Sequence, residues 1–497
     1  MSINKNSKMD VEDLDDFVEV AQTVNALVLS VAPKYKHIGV ESALTTTQAC
    51  VTVKARELPE DDSEHARAPV DIVVALDVSG SMRGNKLKLC KLTLKMLLRT
   101  LNSKDKFGLV SYASDARVDI PVQSMSPKNK ENSLKAIEGL TDRGCTNISA
   151  AIGLASQEIK TIMNPNEVQT IFLLTDGLAN EGICDDDGLV ELTRNCLTAK
   201  NKLTVPDAKY EASPITMHTF GYGSDHNANL LQQISEATHG GSYYFVESDS
   251  AVGSAFGDAL GGVLSVVAQN VVITIKSCEN NQISKVFHDR SILREDGSYT
   301  VDMGDFYSEE TRDCLFEFCL IIPSEGGVSN NPMPHAYISM AYTDTIQKIP
   351  IVTNGTPIVC SINRPSGGEI STPDHYIKTQ WLRITAVEEM KVAETLARER
   401  NYEGARKRMS EWKTMAKQEC KEDNTLTRDP TVNQLFEDMN MCEDEFECDN
   451  TYRKKGAQSI HVRIQSHHNQ RCAESSASNS SAYRTATKAK FSNKFSG

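Results

Sequence analysis

Val70-Asp71-Ile72-Val73-Val74-Ala75-Leu76 runs directly into Asp77-Val78-Ser79-Gly80-Ser81-Met82. The first seven residues are apolar apart from Asp71 and rich in β-branched side chains. That pattern predicts a strand buried on both faces. A second such run, Thr170-Ile171-Phe172-Leu173-Leu174-Thr175, lies downstream. Helical stretches alternate with strands around the two. Leu87, Leu89, Cys90, Leu92, Leu94, Met96, Leu97, Leu98 and Leu101 mark a helix, and further helices are expected over 132–140, 148–163, 187–202, 228–238 and 251–268. Strands are expected over 106–112, 116–122, 214–222 and 242–247. Buried strands separated by helices imply a doubly wound α/β unit with a mainly parallel sheet, spanning residues 69–265.

Outward from this unit the pattern changes. Residues 270–365 hold the apolar runs Val271–Ile275, Cys314–Ile322, Ala336–Tyr342 and Ile349–Val352, separated by Gly- and Asn-rich turns with no helical period between them. This reads as an antiparallel β domain or small sandwich. Residues 21–60 also read as strands, so the α/β unit is expected as an insertion beside a sandwich-like unit. The charged stretch from Glu57 to Arg67 reads as a linker. Residues 374–450 read as a helical region, with Tyr376, Trp381, Ile384, Val387, Met390, Ala393 and Leu396 at helical spacing and a second helix carrying Met409, Trp412 and Met415. Residues 1–20 form an acidic tail. Residues 451–497 carry nine basic residues against one acid, Glu474, and their Ser- and Ala-rich part reads as a solvated, disordered tail.

Composition sets limits on function. The 497 residues are 39% hydrophobic and 24% charged, which is ordinary for a globular chain. A net charge of −14 argues against nucleic acid or anionic membrane as a partner. No apolar run approaches the roughly 20 residues of a membrane helix. The start of the chain is polar and then acidic, unlike a secretory signal. The 13 cysteines are scattered without a CxxC pair, which reads as reduced thiols in a cytosolic protein.

The chemistry gathers where the buried strands end. Ligands of doubly wound sheets collect at the carboxyl ends of the strands. Asp77, Ser79 and Ser81 alternate in the loop after the first strand. Thr146, in Gly144-Cys145-Thr146-Asn147-Ile148, precedes a helix, and Asp176 ends the second buried strand. These loops offer oxygen ligands and neither sulfur nor nitrogen, a set suited to a hard cation such as Mg2+ or Mn2+. Two carboxylates and three hydroxyls leave such a cation electron-poor. It gains from one more anionic oxygen, and a Glu or Asp of another protein can supply it. Taken alone, Asp77-Ser79-Ser81 is also compatible with an Asx or Ser turn capping the next helix. His226, His239, His467 and His468 read as surface groups.

The sequence Asp77-Val78-Ser79-Gly80-Ser81, with Thr146 and Asp176 following in order, resembles the metal ion-dependent adhesion site of von Willebrand factor type A (VWA) domains. The resemblance implies a Rossmann-like fold and makes Asp77, Ser79, Ser81, Thr146 and Asp176 the metal-coordinating residues. The surrounding sequence, including Phe220-Gly221-Tyr222-Gly223-Ser224-Asp225-His226, is similar to intracellular eukaryotic members with a helical C-terminal region. Some of those carry a RING finger and act as ubiquitin ligases, and others carry a Hint domain. This sequence has no Cys/His array for a RING and no Hint-like extension. The expected function is therefore an intracellular, non-catalytic interaction module that binds an acidic residue of a protein partner through the cation. A non-catalytic or partner-dependent component of a ubiquitin ligase pathway is the first alternative. A metal-dependent hydrolase is the second, although no general base stands near the motif loops.

Overall fold

A computed structural model describes residues 25–58, 67–176, 178–197, 215–223, 226–238, 240–246, 248, 251–279, 281–320, 329–353, 357–472 and 481–496. The acidic tail at 1–20, most of the linker, and His239 lie outside these residues. The chain opens with β1 (Leu27–Pro33) and β2 (Thr46–Ala55). It then enters the α/β unit: β3 (Val70–Asp77), α1 (Asn85–Thr100), β4 (Lys106–Tyr112), β5 (Ala116–Ser124), α2 (Pro127–Glu138), α3 (Ile148–Lys160), β6 (Val168–Thr175), α4 (Asp186–Leu197), β7 (Ile215–Tyr222), α5 (Ala228–Glu236), β8 (Tyr243–Val246) and α6 (Val252–Leu264).

The strand order is β5-β4-β3-β6-β7-β8, with every pair parallel except β4–β5. The side-chain period of two explains why β3 is apolar on both faces. Ile72, Val74 and Leu76 join α1 and α6 in one core, with Phe172 and Leu174 of β6. Val73 and Ala75 join α3 and α4 on the other side, with Ile171 and Leu173.

Strands follow again: β9 (Val266–Ser277), β10 (Ile283–Val286), β11 (Ser291–Leu293), β12 (Tyr299–Tyr307), β13 (Thr311–Cys319), β14 (Ser329–Asp344), β15 (Ile349–Val352) and β16 (Ile358–Arg364). They form two antiparallel sheets, β1-β2-β13-β10 and β11-β12-β9-β14-β15, with β16 also on β14. Val51, Val53, Phe316 and Phe318 of the first sheet share a core with Ile273, Ile275, Ile338 and Met340 of the second. The early strands thus complete a sandwich whose other members lie beyond the α/β insertion. Here the structure corrects one expectation. The helix predicted to reach residue 268 stops at Leu264, and Val266 already belongs to β9. The β-branched Val266 and Val267 pair instead with the end of β14, where Thr345 donates its hydroxyl to the Val266 carbonyl (2.9 Å) and its N–H to that of Val267.

The chain ends in helices α7 (His375–Arg398), α8 (Tyr402–Glu422), α9 (Pro430–Glu445), the short α10 (Asp449–Thr451), α11 (Ala457–Asn469) and α12 (Ala486–Ser496). Asn401 caps α8 by accepting from the Gly404 N–H, which turns the chain back on α7. Met390, Met409, Trp412, Leu435 and Ile460 fill a common core. Among the described residues no helix is long and apolar enough to cross a membrane.

The tail expected to be solvated is largely folded, with residues 473–480 outside the described set. Its basic residues pair with buried acids: Arg463 with Glu445 and Asp438, Arg471 with Glu310, and Lys488 with Asp258. His467 is likewise fully buried, between Asp438 (2.9 Å) and the Tyr483 hydroxyl (2.9 Å), and His226 is buried against Tyr243. Their partners lie far along the chain, which is why local sequence read them as surface groups.

Helix α6 is apolar apart from Ser254 and the buried Asp258, and it is buried along nearly its whole length. Helix α12 covers one side of it, using the space left by Gly257 and Gly261. A Cβ on Gly257 would stand 2.8 Å from the Phe491 carbonyl oxygen and 2.9 Å from the Ser492 Cα. Gly257→Val is therefore expected to push α12 away and to cost about 1–3 kcal/mol. Faster hydrogen exchange over residues 486–496 checks this, and unchanged protection there refutes it.

Candidate metal centre

Asp77 ends β3 and Asp176 follows the neighbouring parallel β6, so the sheet register alone brings them to one rim. After Asp77 the chain turns sharply. The Asp77 Oδ1 accepts from the Ser79 N–H at 2.8 Å, and a 3-10 turn over Gly80–Met82 leads into α1. The Asp77 Oδ2 accepts from the Thr175 hydroxyl at 2.9 Å, so the residue before Asp176 fixes the carboxylate of Asp77. The two serine hydroxyls lie 3.0 Å apart, and Ser81 donates to Asp176 Oδ1 at 2.6 Å.

The third loop is held by backbone bonds. Arg143 N–H donates to the Val78 carbonyl and Gly80 N–H to that of Gly144. Gly144 has φ +55°, and a Cβ there would meet the Ser114 Oγ at 2.7 Å, so this turn requires glycine. Asn147 caps α3 through the Ala150 N–H. Asn180 exchanges bonds with Thr146: its Oδ1 accepts from the Thr146 N–H at 2.8 Å, and its own N–H donates to the Thr146 carbonyl at 3.1 Å.

The structure thus joins Asp77, Ser79, Ser81 and Asp176 in one hydrogen-bonded set. Thr146 is placed through its backbone and Asn180. Asp77, Ser79, Thr146 and Asp176 are buried, and Ser81 is exposed, so the set opens to solvent over Ser81. Burial pushes the Asp77 carboxyl up to about 6, against the pull of the Ser79 and Thr175 hydrogen bonds, and the neighbouring Asp176 charge adds to the rise. An ionised carboxylate in that position gains from a nearby cation. Ser81 spends its proton on Asp176 and keeps its oxygen lone pairs for another partner. The donor set therefore fits a hard divalent cation, with Asp77, Ser79, Ser81, Thr146 and Asp176 as the residues available to hold it. Among the described residues no group of three or more His, Cys, Asp or Glu side chains is placed to hold a metal, so the set here rests on two carboxylates with hydroxyls.

Three residues at the site escaped the sequence reading. Thr175 and Asn180 flank Asp176 and orient the loops. Lys86, in the first turn of α1, donates its ammonium to Asp176 Oδ2 at 2.5 Å. Lys86 lies one turn beyond Ser81, a spacing that brings it back toward the loop. Asp185 and Asp186, which follow the Asp176 loop, serve the start of α4 and its surroundings. Asp185 accepts from the Gly188 N–H, and Asp186 accepts from the Asn227 side chain.

A doubly wound sheet with an oxygen-lined loop cluster on its carboxyl rim defines a class of domain. Residues 71–258 match the family model of the von Willebrand factor type A domain, and this part of the chain has that domain's fold. Domains of this type commonly bind a divalent metal and typically bind proteins. The chain is 28% identical over 264 residues to E3 ubiquitin-protein ligase WAV3 of Arabidopsis thaliana, covering 52% of this chain and 32% of that protein. It is 27% identical over 274 residues to the uncharacterized protein YfbK of Escherichia coli K12, covering 54% and 45%. It is 27% identical over 180 residues to inter-alpha-trypsin inhibitor heavy chain H3 of Bos taurus, covering 35% and 18%. The chain thus spans less than half the length of each of these relatives. Among solved structures, a von Willebrand factor type A protein from Catenulispora acidiphila superposes with a TM-score of 0.61 at 14% identity, over 82% of this chain and 89% of that one. The ArnB paralog VWA2 of Sulfolobus acidocaldarius gives 0.50 at 14% identity, over 88% and 100%. These two likenesses speak for the fold.

Proposed function

We propose that the chain is a non-catalytic interaction module. It binds an acidic residue of a protein partner through Mg2+ or Mn2+ held by Asp77, Ser79, Ser81, Thr146 and Asp176. One observation carries this reading. The buried Asp77 carboxylate, its pKa raised, stands beside Asp176 under a single exposed hydroxyl, Ser81. The cation supplies a Lewis-acid contact for an incoming carboxylate. Asp77, Ser79, Ser81, Thr146 and Asp176 would fix its position, and Ser81 is the one of them exposed to solvent. The bonds from Ser79 N–H and the Thr175 hydroxyl orient Asp77, so little ordering remains to be done when the cation arrives.

The test is calorimetric titration of Mn2+ into metal-stripped protein, followed by partner capture in Mg2+ and in EDTA. Ser81→Ala removes one neutral oxygen and the donor to Asp176. It is expected to weaken Mn2+ binding about 10–100-fold and to abolish the Mg2+-dependent part of the capture. Unchanged Mn2+ affinity in Ser81→Ala sinks the assignment.

A second reading rests on the similarity to WAV3, a ubiquitin ligase. In it, the chain is a partner-dependent component of a ubiquitin-ligase pathway, and its cation-held partner is a ubiquitin-handling protein. It ranks second because the alignment covers 32% of that protein.

A further inference from the structure

We infer that Lys86 is an internal cation that competes with the divalent metal for Asp176 and so sets the metal affinity of the site. This rests on the metal-site reading above and concerns a residue outside the ligand set. The Asp176 carboxylate is fully shielded from solvent, and both its oxygens are engaged. Oδ1 takes the Ser81 hydroxyl at 2.6 Å, and Oδ2 takes the Lys86 ammonium at 2.5 Å.

The two contacts differ in kind. Ser81 keeps its lone pairs after donating, so its bond is compatible with a metal alongside. Lys86 has no lone pair to offer as an ammonium and brings a full positive charge. A divalent ion approaching Asp176 meets that charge at close range in a buried setting, where screening by salt is weak. It must either displace the ammonium or bind against its repulsion. The side chain is able to leave. Lys86 sits in the first turn of α1, is about a third exposed (35%), and has a flexible stem that can swing into water. In the metal-free state the same contact satisfies the buried Asp176 carboxylate.

The helix gives this arrangement its geometry. Asn85 and Lys86 open α1, directly after the turn that carries Ser79 and Ser81. Any shift of α1 along its axis moves Lys86 relative to Asp176 and alters how firmly the carboxylate is held.

The experiment titrates Mn2+ into metal-stripped full-length wild type, Lys86→Met, Lys86→Arg and Asp77→Asn, with thermal unfolding of each in EDTA and in Mn2+. Lys86→Met keeps the stem and removes the charge. It is expected to bind Mn2+ at least tenfold more tightly than wild type, to unfold at a lower temperature in EDTA, and to gain more from Mn2+. Lys86→Arg, which keeps the charge, is expected to stay within about threefold of wild type. A purely structural role for Lys86 cannot raise metal affinity. Equal or weaker Mn2+ binding by folded Lys86→Met overturns the proposal while leaving the metal site standing. If Lys86→Met fails to fold, Lys86→Gln takes its place under the same criterion. Absence of Mn2+ binding in wild type and all variants overturns the metal-site reading and this proposal together.

Discussion

Glu310→Gln is expected to lower the thermal midpoint of the chain by about 10 °C, from a loss of about 3–5 kcal/mol. Glu310 lies between β12 and β13 and is buried with two guanidiniums. Arg471 donates to its Oε1 at 2.7 Å and its Oε2 at 3.0 Å, and Arg312 donates to its Oε2 at 2.6 Å. Arg471 also stacks on the Tyr307 ring at 3.6 Å and donates to the carbonyls of Asp305 and Gly240. One carboxylate thus balances two buried cations. A neutral amide leaves both guanidiniums facing each other without compensation, a costlier state than never having buried the pair. Gly240 belongs to the α/β unit, Glu310 to the sandwich and Arg471 to the C-terminal region, so one contact joins all three. Differential scanning calorimetry checks the prediction, and a midpoint within 2 °C of wild type refutes it. The Glu310→Ala, Arg471→Ala double variant should lose less than the sum of the singles, because the two residues share one network.

The same group predicts acid sensitivity. Burial alone would raise the Glu310 carboxyl, but Arg312 and Arg471 overcome this and hold it down at about 2. A carboxyl with a depressed folded pKa stabilises fully above its unfolded value, about 4.3. That contribution is lost as pH falls toward 2. The acid unfolding of wild type should therefore be steep between about pH 4 and pH 2, and shallower in Glu310→Gln.

Asp77→Asn should separate stability from binding. At neutral pH the buried, charged Asp77 costs about 3 kcal/mol relative to its unfolded form, taken from the rise in pKa from 3.8 to about 6. Because the folded pKa is raised, this cost grows as pH climbs from about 4 through 6 and is constant above. The neutral amide removes it and still accepts from the Ser79 N–H. Metal-free Asp77→Asn is thus expected to unfold at or above the wild-type temperature. Its Mn2+ affinity is expected to fall by at least 100-fold, because a charged ligand and its orientation are both lost. Capture of a partner should then become indifferent to Mg2+. A variant that is as stable as wild type and still binds Mn2+ at wild-type strength would remove Asp77 from the site.

Much of the α/β unit could be read directly from the sequence, because its strands are buried on both faces and announce themselves as apolar runs. Val70–Leu76 and Thr170–Thr175 fall within β3 and β6, and the loop residues after them lie on the same rim. What escaped were elements whose stabilising contacts are distant and polar. β12 reads Tyr-Thr-Val-Asp-Met-Gly-Asp-Phe-Tyr, and its Asp302, Gly304 and Asp305 disguise a buried strand that bulges at those positions. The start of α2 was missed although Ser126 followed by Pro127 is a cap signal. Residues 451–497 read as a solvated, disordered tail because Arg463, Arg471 and Lys488 find their acids only in three dimensions. Lys86 escaped for the same reason, since its acid, Asp176, lies 90 residues away just after β6.

The packing of α12 on α6 has a consequence for the making of the chain. At ~5–20 residues per second, the stretch between these helices takes on the order of 10–50 s to emerge from the ribosome. Throughout that interval a glycine-rich, largely apolar helix lacks its cover, and its Asp258 lacks the Lys488 ammonium. Until α12 is made, the side of α6 that packs on Phe491 and Ser492 stays uncovered. A messenger truncated before residue 486 would yield a product that keeps the strand-end loops intact and carries a permanently sticky flank.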